Sequence, residues 1–139
     1  MEFAYLITPF AAWLTAGSLK FAINSLRAGR GAVGLIGYGG MPSNHSAIVT
    51  SMTVLIALRE GIAHPAFGVA LTLAFIVMMD AASLRRQVGI HARALNRLGS
   101  RRLDGSALRE RIGHSRAEIA GGILTGAAVG LGMGWTSVS

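Results

Sequence analysis

With no cysteine to supply a thiolate, the side chains of this sequence best suited to chemistry are two histidines, two carboxylates and a few bases at short, regular spacings. His45 lies in the run Gly39-Gly40-Met41-Pro42-Ser43-Asn44-His45-Ser46. The glycines let the backbone approach a ligand, Pro42 sets a turn, and Ser43 or Asn44 can cap the uncharged run that follows. A helix starting there presents unpaired N–H groups and a positive dipole end to an anion, and His45 in its first turn could move a proton. His114 precedes Glu118 by one helical turn, so that carboxylate could orient the imidazole and raise its basicity, with Ser115 or Gly113 as the cap. Lys20 and Arg27 are two turns apart and share one side of a continuing helix. Asp80 stands at the edge of an apolar run, where an ionised group is costly unless paired. Arg85 and Arg86 are near it in sequence. Its helical face, however, is Ser83, Leu84, Gln87 and His91, which leaves Lys20 or Arg27 on the first apolar block as equal candidates.

The elements that must position these groups are apolar. Hydrophobic residues make up 52% of the chain and charged ones only 14%, against about 25% charged in soluble domains, and the mean hydropathy is +0.52. Residues 3–19, 61–79 and 119–139 carry no Asp, Glu, Lys or Arg, and each approaches the ~20 residues that cross a bilayer. A shorter block, 46–58, spans if its Gly-Met-Pro-Ser entrance also lies at membrane depth, buried in protein or lining a wet cavity. The expectation is an all-α polytopic membrane protein in a single domain over residues 1–139, with about four transmembrane helices. The glycine-rich stretch 29–40 is expected to form a re-entrant loop. Residues 83–116 are expected to form a basic amphipathic segment lying on anionic head groups. Gly122, Gly126, Gly130 and Gly134 repeat every fourth residue, a groove for span one or two or for a second copy of the chain in a homodimer.

The net charge of +7 is unevenly placed. In the four-helix arrangement Lys20, Arg27, Arg30, Arg85, Arg86, Arg93, Arg97, Arg101, Arg102, Arg109, Arg111 and Arg116 share one face, and Arg59 lies at the other. Basic loops stay cytoplasmic, so the chemistry and the basic segment are expected in the cytosol and both termini outside. The first block has no basic residue before it and is expected to be a retained span. Nucleic acid is not an expected partner, because no binding motif or aromatic interleaving accompanies the charge. His64 lies at the end opposite the other chemistry and is expected to be a surface histidine.

Three of these stretches, Lys20 with six residues before Arg27, Pro42-Ser43-Asn44-His45, and His114 with three residues before Glu118, resemble the signature motifs of the type 2 phosphatidic acid phosphatase superfamily. That superfamily also contains the vanadium haloperoxidases. The wording around His45, Asp80 to Arg86 and His114 is most similar to its small divergent branch of bacterial and plant membrane proteins, over nearly the whole chain. The resemblance implies a multi-pass protein of the bacterial inner membrane that hydrolyses a phosphomonoester or diphosphate of a lipid or isoprenoid. It implies that His114 attacks phosphorus, Glu118 holds its tautomer, and His45 protonates the leaving oxygen and later activates water. Lys20, Arg27, Ser43 and amides near Asn44 would neutralise the phosphate, with Asp80 in a catalytic or positioning role and neither metal nor other cofactor required. This chain departs from the motifs at Ala28 in place of a proline, Asn44 in place of a glycine, Ala107 and Leu108 in place of Ser-Arg, and Glu118 in place of Asp. Arg85 or Arg86 is expected to replace the missing arginine. The alternative is a non-catalytic membrane protein that binds anionic lipid or a partner subunit.

Overall fold

A computed structural model of the chain describes residues 3–28, 40–98, 107–110 and 112–136. The described residues are helical and contain no strand. Helix α1 is Ala4–Ala28, α2 Asn44–Arg59, α3 Pro65–Met79, α4 Arg85–Arg97 and α5 Arg116–Trp135. A π-helical turn, Asp80–Leu84, joins α3 to α4, so one helix of 33 residues runs from Pro65 to Arg97. Three helices are long and apolar enough to cross a membrane, those at 4–27, 65–97 and 116–135. At 1.5 Å per residue α2 is only about 24 Å long, short of the ~30 Å hydrocarbon core. Pro42 and Ser43, which lead into it, are buried in protein, the condition under which irregular backbone is tolerated at membrane depth. The chain is an all-α membrane protein.

Helix α2 is the centre of the bundle: α1, α3 and α5 all pack on it, and α1 also packs on α5. Lipid offers hydrocarbon to every side chain equally, so helices in a membrane associate where small residues let backbones touch. On α5 all four repeating glycines are buried. A Cβ on Gly122 would lie 2.4 Å from the Ser43 carbonyl oxygen, one on Gly126 2.3 Å from that of Ala47, and one on Gly130 2.6 Å from that of Ser51. The groove expected to serve span one, span two or a second copy is thus filled by α2 of the same chain, and a homodimer would need a different face. On α1 Ala4, Thr8, Ala12 and Ala16 are fully buried at the same four-residue period. Lys20 and Asn24 continue that series, so the packing face of α1 becomes the face that presents Lys20. Phe10, Trp13, Val69, Phe75, Leu124 and Trp135 point outward, as side chains facing lipid do.

The end opposite Lys20 is tied by Tyr5, whose hydroxyl donates to Glu60 Oε1, and by the Arg59 guanidinium 5.2 Å above the Tyr5 ring. His64 is exposed there, and its Nδ1 accepts from the Ala66 N–H at the start of α3. The basic segment departs from expectation. Among its described residues, Arg85–Arg97 form α4, which continues the π turn, and residues 107–110 lie back across that helix instead of extending it. Asn96 pairs with Leu108 as a backbone would, donating Nδ2–H to its carbonyl and accepting its N–H, both at 2.9 Å. Arg93 bonds Glu110 at 3.2 Å, and bonds from Asn96 and Arg93 hold that carboxyl below its usual range. Gly89 is buried there, and a Cβ on it would lie 2.4 Å from the Glu110 carbonyl oxygen. The fold-back delivers residues 112–114 to the π turn. The glycine-rich stretch expected to be re-entrant falls, apart from Gly40, outside the described residues.

Candidate active site

Four elements meet at one end of the bundle: α1 with Lys20, the start of α2 with His45, the π turn with Asp80 and Arg85, and the loop before α5 with His114. The start of α2 is held by Ser43, whose hydroxyl accepts from the Ser46 N–H at 3.3 Å and whose own N–H donates to the Glu118 carbonyl at 2.8 Å. Ser43 is fully buried. It is a cap pinned between α2 and α5, with its hydroxyl already accepting from both the N–H and the hydroxyl of Ser46. The Met41–Pro42 peptide bond leading into the cap is cis. With Ser46 capped, the amides of Asn44 and His45 have no acceptor within the helix, which leaves two donors at its positive end.

The imidazoles of His45 and His114 converge, with ring centres 5.8 Å apart and planes tilted by 56°. The Arg85 Nη2 lies 3.4 Å from His45 Nε2. A guanidinium can only donate, so Nε2 accepts and a neutral His45 carries its proton on Nδ1. Arg85 Nε also donates to Asp80 Oδ2 at 3.2 Å, so one guanidinium bridges the carboxylate and the imidazole. Of Arg85 and Arg86, the pair expected to supply the missing arginine, Arg85 occupies the site and Arg86 is exposed. The groups whose charge bears on His45 are Arg85, His114, Lys20 and Asp80. Lys20 is within electrostatic reach of Glu118 and lies against Gly40.

The Asp80–Arg85 pair corrects the expected face of Asp80. Five residues do not share a face in an α-helix, but they do in a π turn. The Arg85 N–H accordingly bonds the Asp80 carbonyl, and the carboxylate's partner is Arg85 and neither Lys20 nor Arg27. Arg27 is exposed in the last turn of α1 and makes no bond to the imidazoles among the described residues.

Glu118 does not touch His114. Helix α5 begins at Arg116, so His114 lies outside it and the one-turn spacing does not bring the side chains together. Ser115 is the N-cap and Glu118 its partner in a capping box, accepting the Ser115 N–H at 2.8 Å while the Ser115 hydroxyl accepts the Glu118 N–H at 3.2 Å. Glu118→Gln is therefore expected to leave melting and any phosphoryl transfer nearly unchanged, because glutamine reaches the same N–H. Glu118→Ala should cost about 1 kcal/mol of stability. A large activity loss in the glutamine variant at unchanged melting would return the carboxylate to the imidazole.

Four buried polar atoms at this end have no hydrogen-bond partner: Asn44 Oδ1, His45 Nδ1 and both ring nitrogens of His114. Buried polar groups are nearly always paired, so this cluster of exceptions could take up a polar ligand, and the neighbouring Lys20 and Arg85 side chains suit a negatively charged one. The sequence reasoning missed the Ala81 carbonyl, which accepts the His114 N–H at 3.1 Å, and Gly113, whose φ of 109° lets the loop approach the π turn. The five-residue gap from Asp80 to Arg85 and the glycine before His114 were the available signals. No group of three or more metal-binding side chains occurs among the described residues.

Residues 1–129 match the model of a family described as Divergent PAP2 family. The uncharacterized membrane protein YuiD of Bacillus subtilis is 34% identical over 104 residues, which are 63% of this chain and 66% of that protein. The chain thus spans just under two thirds of that relative's length. No solved structure matches.

Proposed function

The chain belongs to the divergent PAP2 family, and from that premise we propose that it is a membrane phosphatase acting on a phosphomonoester or diphosphate of a lipid or isoprenoid. The observation that carries this reading is the convergence of His45 and His114 at 5.8 Å, with unbonded ring nitrogens beside Arg85. That separation lets one phosphoryl group touch both rings. A ring nitrogen of His114 attacks the terminal phosphorus as its bond to the leaving oxygen breaks, that of the lipid alcohol in a monoester or of the lipid phosphate in a diphosphate, and that oxygen takes a proton from His45 in its protonated form. Water then attacks the phosphohistidine, giving its proton to His45, and the P–N bond breaks to release orthophosphate. Lys20, Arg85 and the free amides at the start of α2 neutralise the non-bridging oxygens, the charge stabilisation that dominates phosphoryl transfer. Asp80 orients Arg85. The test is phosphate release by purified protein in detergent from a panel of lipid monophosphates and isoprenoid diphosphates without added metal. Release from none of them would refute the reading.

The site is proposed to face the cytosol, because Arg85, Arg86, Arg93 and Arg97 lie at its end of the bundle. The native chain has no cysteine, so Arg97→Cys supplies a single label. Its reaction with a membrane-impermeant maleimide is expected only after the inner membrane is permeabilised, and labelling of intact cells would reverse the orientation.

A further inference from the structure

We infer that the π-helical turn positions His114 through its backbone, as a function separate from the pairing of Asp80 with Arg85. In a regular α-helix the Arg85 N–H would bond the carbonyl four residues back, that of Ala81. Here it bonds Asp80, five back, and leaves over the carbonyl of Ala81, a residue only 1% exposed. An unpaired buried carbonyl is costly. The His114 N–H takes it at 3.1 Å, so the wide turn and the docked loop each satisfy what the other leaves open. Gly113 completes the contact: a Cβ there would lie 3.2 Å from the Arg86 nitrogen and 3.5 Å from the Ala81 oxygen, at a φ of 109° that disfavours other residues. From the opposite side the Ser43 N–H bonds the Glu118 carbonyl at 2.8 Å and ties the first turn of α5 to α2. Both His114 ring nitrogens lack partners, so no side-chain hydrogen bond orients the imidazole. Its backbone anchorage does that work, and Ala81 and Gly113 are positioning residues for His114.

The kinetic consequence rests on the phosphatase reading, but the structural one does not. Ser83 is exposed and, among the described residues, its hydroxyl bonds only the Met79 carbonyl of its own helix, at 2.7 Å. Deleting it removes the extra residue of the turn. Arg85 then stands four residues after Asp80, still on the same face, while the Arg86 N–H becomes the fourth after Ala81 and claims its carbonyl. Hydrogen exchange of the His114 amide in the full-length protein is expected to be at least about tenfold faster in the deletion than in the parent. Turnover should fall about 10²-fold, the scale of a misplaced reacting group, with KM and orthophosphate affinity little changed. Gly113→Ala attacks the same contact from the loop and should give the same exchange and kinetic pattern. Asp80→Asn, which leaves the turn intact, should keep the amide protected. Slow exchange at the α2 amides reports that each variant is folded, and Gly113→Ala carries the test if the deletion is not. A His114 amide as protected in the folded deletion or glycine variant as in the parent would overturn the inference. A parent inactive on every lipid phosphate would refute the phosphatase reading, and the exchange comparison would still decide this one.

Discussion

His114→Ala is expected to abolish phosphate release from a lipid phosphate, by about a thousandfold or more, while the protein melts as the parent does. Removing a nucleophile removes the covalent route altogether, and the charges that remain can only bind the phosphate. The imidazole makes no side-chain hydrogen bond, so its loss breaks no network. His45→Ala should fall less far, about 10²–10⁴-fold, the range for loss of a general acid and base. Its deficit should shrink with substrates whose leaving group needs no proton. Equal activity in parent and His114→Ala would rule out the proposed chemistry, because that chemistry assigns the attack on phosphorus to His114.

Gly126→Leu is expected to have the largest effect on the fold. A Cβ at this position would already lie 2.3 Å from the Ala47 carbonyl oxygen and 2.9 Å from its Cα. Neither is a side chain that can turn aside. Overpacking ordinarily costs about 1–3 kcal/mol, and a leucine against backbone belongs at or beyond the upper end. The two helices must separate, and with them the Ser43 to Glu118 bond that aligns α2 with the loop of His114. Gly132→Leu on the same helix is the control, since nothing lies within 4 Å of a Cβ there. Melting of the detergent-solubilised protein should drop sharply for Gly126→Leu and hardly move for Gly132→Leu. Similar melting for the two would mean that the glycine face of α5 is not the packing face.

The apolar blocks were legible as helices because a charge-free run near twenty residues has few other uses, and Ser43 was legible as a cap. The convergence of His45, His114 and Lys20 was anticipated from motif order, and the structure brings those three together. What failed was local geometry extended past its element. The four-residue gap from His114 to Glu118 implied contact only if both residues were helical. Ser115, followed three residues later by Glu118, is itself a capping-box signature, and it places His114 before the helix. Asp80 was read with α periodicity, whereas its turn is widened by a carbonyl that His114, distant in sequence, claims. The five-residue gap from Asp80 to Arg85 and the glycine before His114 hint at it, but neither names the other as its partner. The repeat of the α5 glycines does not by itself name their partner, but Ser43, Ala47 and Ser51 repeat at the same period on α2 and offer the matching surface.

The most direct test of the central claim is to trap the covalent intermediate. Purified protein is mixed with a ³²P-labelled lipid phosphate, quenched in alkali, and digested to map the label. Alkali-stable, acid-labile radioactivity on the peptide containing His114, absent from His114→Ala and accumulating in His45→Ala, is the predicted result. Turnover that leaves no label on the protein, or label that persists in His114→Ala, would contradict it.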